Sequence, residues 1–281
     1  MSPQKPNELH SIWGRLQSIP HDDPSLTEQT WRQVQPCKRY ELGRYKLFIT
    51  QPSSTFWVYL LGVLTTLLGL FFLVTFDNHT SRLLWGVSLI LWGVGALLAG
   101  TSYQAFGYQL KCQDRPMVAW TSWWEVIYMI FQQLSVNVML VAVAYSLLNE
   151  HGQRWATLVA IAVSVAYCIM ITYAAFKPKK ALLTFELMVH WCTPMILFMA
   201  ALNLWHIVTQ PTSLNYALLG TWLGLIATML CYQYYFKAGI SQKLWSKGVW
   251  FSENDVLHVL LIVWVAYIAW VLSPLIIDAP L

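Results

Sequence analysis

Charge is what this sequence has least of. Asp, Glu, Lys and Arg make up 11% of 281 residues, where a soluble domain carries roughly a quarter. Beside 57% hydrophobic residues, that scarcity excludes an ordinary water-soluble domain. Paired cysteines are also lacking. Cys37, Cys112, Cys168, Cys192 and Cys231 follow no paired spacing, so no disulfide framework is expected. No signal-peptide pattern opens the chain: the first apolar stretch begins near Phe56 and is too long for one. The last apolar stretch, VLLIVWVAYIAWVL, has no lysine, which excludes a retinal protein. Pro194 is the only mid-span proline and no repeat is evident, against a transporter built from broken helices.

What the sequence does have is long apolar runs. A membrane-spanning helix needs about 20 predominantly apolar residues. Seven stretches meet that length, at about 56–76, 83–108, 122–148, 155–176, 181–208, 213–236 and 254–276. In lipid their backbone groups must be satisfied internally, so each is a helix. The expected fold is an all-α integral membrane protein. Residues 1–54 form a polar N-terminal segment and residues 55–281 a seven-helix bundle.

The few charges are unevenly placed. Of the 17 Lys and Arg, all but Arg82 and Arg154 fall before the first span or in the 2–3, 4–5 and 6–7 loops. The positive-inside rule puts the N-terminus in the cytoplasm and the C-terminus outside. The formal net charge of +4 then suits anionic lipid headgroups and not nucleic acid. A multi-pass protein of a plasma or inner membrane is expected. In the N-terminal segment, ELHSIWGRLQSI sets Leu9, Ile12, Trp13 and Leu16 on one helical face, and RYELGRYKLFI mixes aromatics with cations. Both read as segments lying on the membrane surface, with a protein partner as the other occupant. Gly86, Gly93 and Gly100 recur at heptad spacing and mark a close helix contact. The 16 Trp read as aromatic belts and core filling.

Ionisable residues inside spans are costly and mark functional sites. Here they gather in the half of the bundle nearest the N-terminal segment. Helix 3 carries Glu125, Tyr128, Gln132 and Ser135 on one face; helix 5 carries Glu186 and His190, four apart. Helix 7 opens with Ser252, Glu253, Asn254 and Asp255 and carries His258 one turn later. Ser252 followed by Asp255 is a capping pattern, so Glu253 and Asp255 suit a helix start, while Asn254 and His258 face inward. Helix 2 ends in GTSYQAF, which brings Ser102, Tyr103 and Gln104 to the same level. These residues form a candidate polar pocket: Ser102, Tyr103, Gln104, Tyr128, Gln132, Asn254 and Asp255, with Glu125 and His258 as its chemical centre. Glu125, Glu186, His190 and His258 are the candidate ligands of a divalent metal, and His190 with His258 the candidate axial pair of a haem.

Those motifs resemble the CREST superfamily of seven-helix membrane proteins, which includes alkaline ceramidases and the progestin and adiponectin receptors. NDVLH looks like its helix-7 His-x-x-x-His motif, with Asn254 in the first place and His258 in the second. GTSYQAF looks like its Ser-x-x-x-His motif, with Ser102 in the serine place and Phe106 in the histidine place. Glu125 is similar to its helix-3 acid, and the interval from Ser102 to Glu125 is longer than the ceramidase pattern. The resemblance covers roughly residues 85–275. It implies a cytoplasm-facing pocket for a lipid or other amphiphile. The family's zinc is held by three histidines, of which only His258 is present here. The readings that follow are an amphiphile-binding membrane protein, a non-enzymatic structural or assembly subunit, and a metal-dependent lipid amide or ester hydrolase using Glu125 as general base.

Overall fold

The computed structural model describes residues 13–43 and 45–279. Among them, seven helices are long and apolar enough to cross a membrane, which fits a multi-pass integral membrane protein. They are α2 (Pro52–Val74), α3 (Thr80–Ala99), α5 (Trp123–Leu147), α6 (Glu150–Phe176), α7 (Phe185–Thr209), α8 (Ser213–Lys237) and α10 (Glu253–Tyr267). π-Helical turns prolong α3 through Gly100–Ala105 and α10 through Ile268–Leu272. Three short helices lie between or before them: α1 (Trp31–Val34), α4 (Gly107–Lys111) and α9 (Ile240–Trp245).

The helix starts follow from side chains that satisfy the first free backbone amides. Asn149 accepts from the Gly152 amide at 3.0 Å, Thr184 from Leu187 at 3.2 Å and Thr212 from Asn215 at 3.2 Å. Ser252 and Asp255 form a complete capping box at the start of α10.

In their main packing contacts, α2, α3, α5, α7, α8 and α10 form a ring, and α6 packs outside it against α5. Helix α5 is the most enclosed span. It is tied to its neighbours by polar pairs: Ser135 with the Ser88 carbonyl on α3 (2.8 Å), Asn137 with Ser164 on α6 (2.8 Å) and Gln133 with Cys192 on α7 (2.9 Å). Glycines set the closest approach, between α2 and α3. A Cβ on Gly69 would stand 2.8 Å from the Gly86 carbonyl oxygen, and one on Gly93 would stand 2.7 Å from that of Gly62.

The end of the bundle that carries residues 13–51, with the loops before α5, α7 and α10, is here the proximal face; the other is the distal face. At the distal face the Asp278 carboxylate accepts the amides of Thr80 and Ser81, at 2.8 and 2.7 Å, and so caps α3. Arg82 donates to the Ser273 carbonyl at 2.6 Å.

The proximal segment departs from the sequence reading. Leu9 and Ile12 lie outside the described residues. Trp13 meets Trp123 and Phe176 edge-on, and Leu16 is fully buried in the main core. This stretch is therefore docked on the bundle, with Pro20 bridging to Ala119 and Lys180 paired with Asp22. The expected all-α chain also contains an antiparallel ribbon, β1 (Cys37–Leu42) and β2 (Tyr45–Thr50), in the register Cys37↔Thr50 and Tyr40↔Leu47. Gly43, at φ +60°, supplies the left-handed residue that a tight hairpin turn needs. A small second core of Trp31, Cys112 and Val118 holds this segment to the loop before α5.

Candidate functional site: a buried polar cluster and an intramembrane cavity

The structure divides the expected pocket in two. The first part is a buried cluster at the proximal face. Ser102, on the π-helical turn, donates to Glu125 Oε1 at 2.7 Å and meets the Ser122 hydroxyl at 2.7 Å. Lys111 Nζ, from α4, lies 2.8 Å from the same Glu125 oxygen and 5.0 Å from the centre of the Tyr103 ring. Glu125 is 1% exposed and Lys111 8%. Ser102 and Glu125, which the sequence places on two different helices, meet here. Lys111 is the residue sequence reasoning missed: a loop lysine normally points to water, and no periodicity marks this one as buried.

The second part is a cavity of about 290 Å³ inside the ring. Its walls are mainly apolar, among them Leu61, Trp92, Met188, Leu225 and Leu261. Its polar lining includes Tyr128, Gln132 and His258. Thr193 and Leu197 of α7 and Leu230 and Gln233 of α8 line it and are themselves exposed, so it opens sideways between these two helices. Pro194, next to Thr193 in α7, removes the N–H that would serve the His190 carbonyl. His258 is 8% exposed, and among the described residues nothing hydrogen-bonds its Nδ1. A buried polar atom without a partner is costly and calls for an explanation. The Tyr103 and Tyr128 rings, 6.2 Å apart and edge-to-face, stand between the cavity and the Lys111–Glu125 pair.

Several expected site residues lie elsewhere. Asp255, fully buried, accepts from Ser53 at 2.7 Å, from Ser54 at 2.9 Å, and from the Ser252 amide and hydroxyl. It joins the start of α10 to the start of α2 and does not line the cavity. Asn254 is only half-buried: the capping box turns Asp255 inward and Asn254 aside. Ser102, Tyr103 and Gln104 are also absent from the cavity wall. Glu186 and His190 are exposed on α7, where His190 Nδ1 lies 2.6 Å from the Glu186 carbonyl oxygen of its own helix. The i, i+4 spacing does put them on one face of α7, but that face is the outer one. With His190 outside and His258 inside, the two do not form a haem pair.

A catalytic zinc takes three protein ligands and leaves one open position. The residues present do not fit one. Phe106 and Asn254 offer no imidazole, and Glu125 is engaged by an ammonium and a hydroxyl. Among the described residues no group of three or more His, Cys, Asp or Glu could hold an ion, which corrects the set Glu125, Glu186, His190 and His258.

Outside the spans, burial and the nearby Glu28 carboxylate push the Cys112 thiol up to about 11. Burial, and then the Lys111 ammonium, hold His21 below its ordinary value. No family model, curated protein or solved structure matches the chain.

Proposed function

We propose that this is an integral membrane protein that binds a lipid or other amphiphile in the cavity, with its N-terminus in the cytoplasm and its C-terminus outside. The observation that supports this most is the cavity itself. Its apolar walls suit an acyl or isoprenoid chain, its rim faces sideways between α7 and α8, and His258 belongs to its small polar lining. An amphiphile enters chain-first from the bilayer, and a carbonyl or hydroxyl group engages His258. A remote relationship to the CREST superfamily belongs to this reading, supported by the Ser102–Glu125 hydrogen bond. The family's metal chemistry does not carry over, because the donor set does not fit.

The test is extraction and mass spectrometry of lipids retained by the full-length protein in mild detergent. The wild type is expected to retain a defined amphiphile in near-stoichiometric amount. Met188→Trp, which fills the cavity, is expected to lose it, and His258→Ala to retain less. Equal retention by wild type and Met188→Trp overturns the proposal and leaves a structural or assembly subunit with the cavity as a packing defect.

A further inference from the structure

The β1–β2 ribbon has two unlike faces. In an antiparallel pair, directly opposed residues share a face. Cys37/Thr50 and Arg39/Phe48 therefore point one way, and Lys38/Ile49 and Tyr40/Leu47 the other. At the base of the ribbon the first face is engaged with the bundle, while Arg39 and Glu41 further out are exposed. Thr50 donates to the Gln104 carbonyl, Phe48 packs on Tyr108 at 4.8 Å, and Gln109 donates to the Phe48 carbonyl at 2.6 Å. On the second face, Tyr40 is 41% exposed and Leu47 39%, with the Lys38 ammonium 5.3 Å from the Tyr40 ring centre.

The place of this face narrows what covers it. Only Gln51 separates β2 from α2, and its left-handed backbone (φ 46°) turns the chain sharply there. Thr50 is bonded to the last turn of the span that ends at Ala105. The base of the ribbon therefore lies level with the ends of two spanning helices. At about 3.3 Å per residue, no part of a six-residue strand is more than about 20 Å from that level. Residues 37–50 carry Lys38, Arg39, Arg44 and Lys46 against one acid, Glu41, which pairs with Arg39 at 3.5 Å. An exposed tyrosine and leucine beside a lysine, at the level of the helix ends, match the chemistry of a charged lipid interface.

We infer that the Lys38/Tyr40/Leu47 face of the ribbon docks on the headgroups of anionic phospholipids around the proximal face. Tyr40 and Leu47 enter the headgroup layer, and the Lys38 ammonium beside them meets a lipid phosphate. This is independent of any occupant of the cavity.

The test uses full-length protein in nanodiscs, with an environment-sensitive fluorophore on Tyr40→Cys in a background freed of the native cysteines. Emission is expected to shift to the blue in discs containing phosphatidylglycerol and not in discs of phosphatidylcholine alone. Salt at about 1 M, where the Debye length is about 3 Å, is expected to reverse the shift. Lys38→Gln is expected to weaken it, and a label at Glu41→Cys, on the opposite face, to show none. The same emission in both lipids overturns the inference, as does a blue emission already present in detergent, which points to a protein occupant. Hydrogen exchange of the unlabelled wild type provides a second measurement. Amides of residues 38–47 are expected to be better protected in anionic than in zwitterionic discs, and equal protection also overturns the inference.

Discussion

The Glu125 carboxylate sits almost wholly out of water, where Lys111 and Ser102 are its partners. Removing one partner of a buried pair leaves the other unbalanced, at a cost of about 3–5 kcal/mol. Lys111→Met is expected to lower thermal stability in detergent by that order. Lys111→Met combined with Glu125→Gln is expected to regain much of the loss, and additive losses would show that the two do not act as a pair. His21 gives a pH dependence. Its folded value lies below its ordinary 6.5. Above pH 6.5 the imidazole is neutral whether docked or free, and docking is at full strength. Below it the undocked chain takes the proton first, so docking weakens. Protonation also ends the hydrogen bond that Nδ1 accepts from the Asp23 amide at 3.1 Å. Protection factors of amides in residues 18–24 are expected to fall between pH 7.5 and 5.5, and His21→Phe to flatten that response. At this scale the sequence was informative where a charged residue interrupts an apolar run, as at Glu125 and His258. It was silent on Lys111, because a lysine in a connecting segment carries no signal of burial.

Among the helices, the α2–α3 contact is the least tolerant of added atoms. Gly93→Ala puts a methyl against Thr66 and the Gly62 carbonyl, and backbone cannot yield as a side chain can. The expected loss is about 1–3 kcal/mol. Gly95→Ala on the same helix meets nothing closer than Phe131 at 3.5 Å. It is expected to be neutral or slightly stabilising, by up to about 1 kcal/mol, since alanine is the better helix former. Thermal unfolding of the two variants side by side is the check; equal losses would refute the close-contact account. The glycine spacing and the capping pattern at Ser252–Asp255 were both legible, because each rests on local geometry. The ribbon also left a signal: Tyr40, Leu42, Tyr45 and Leu47 alternate with Arg39, Glu41, Arg44 and Lys46 around Gly43, which is the pattern of a hairpin. The outward turn of Glu186 and His190 was hidden: helical spacing places residues on a common face without saying which neighbour that face meets.

For the molecule as a whole, seven spanning helices and the lopsided placement of Lys and Arg make an experimental claim about orientation. Reporter domains fused after Lys46 and after Asp278 are expected to report the cytoplasm and the exterior respectively. The same side for both would remove the seven-span arrangement. The spans were legible to within a few residues, since length and hydropathy decide them. The cavity was not. It arises between α7 and α8 from residues such as Met188, Leu225 and Met229, which look in sequence like any other apolar filling. Only the ring arrangement leaves space between them.

The hold of Asp278 on the first amides of α3 bears on how the chain is made. Asp278 follows Thr80 by 198 residues. At about 5–20 residues per second, synthesis needs roughly 10–40 s to cover that interval. Throughout it, α3 must stay in the membrane with its distal end uncapped, and five further spans must be made before the carboxylate arrives. The bundle therefore closes from its last residues back onto its second span. Asp278→Asn is expected to leave membrane insertion intact while raising the fraction of newly made protein open to protease at the distal face.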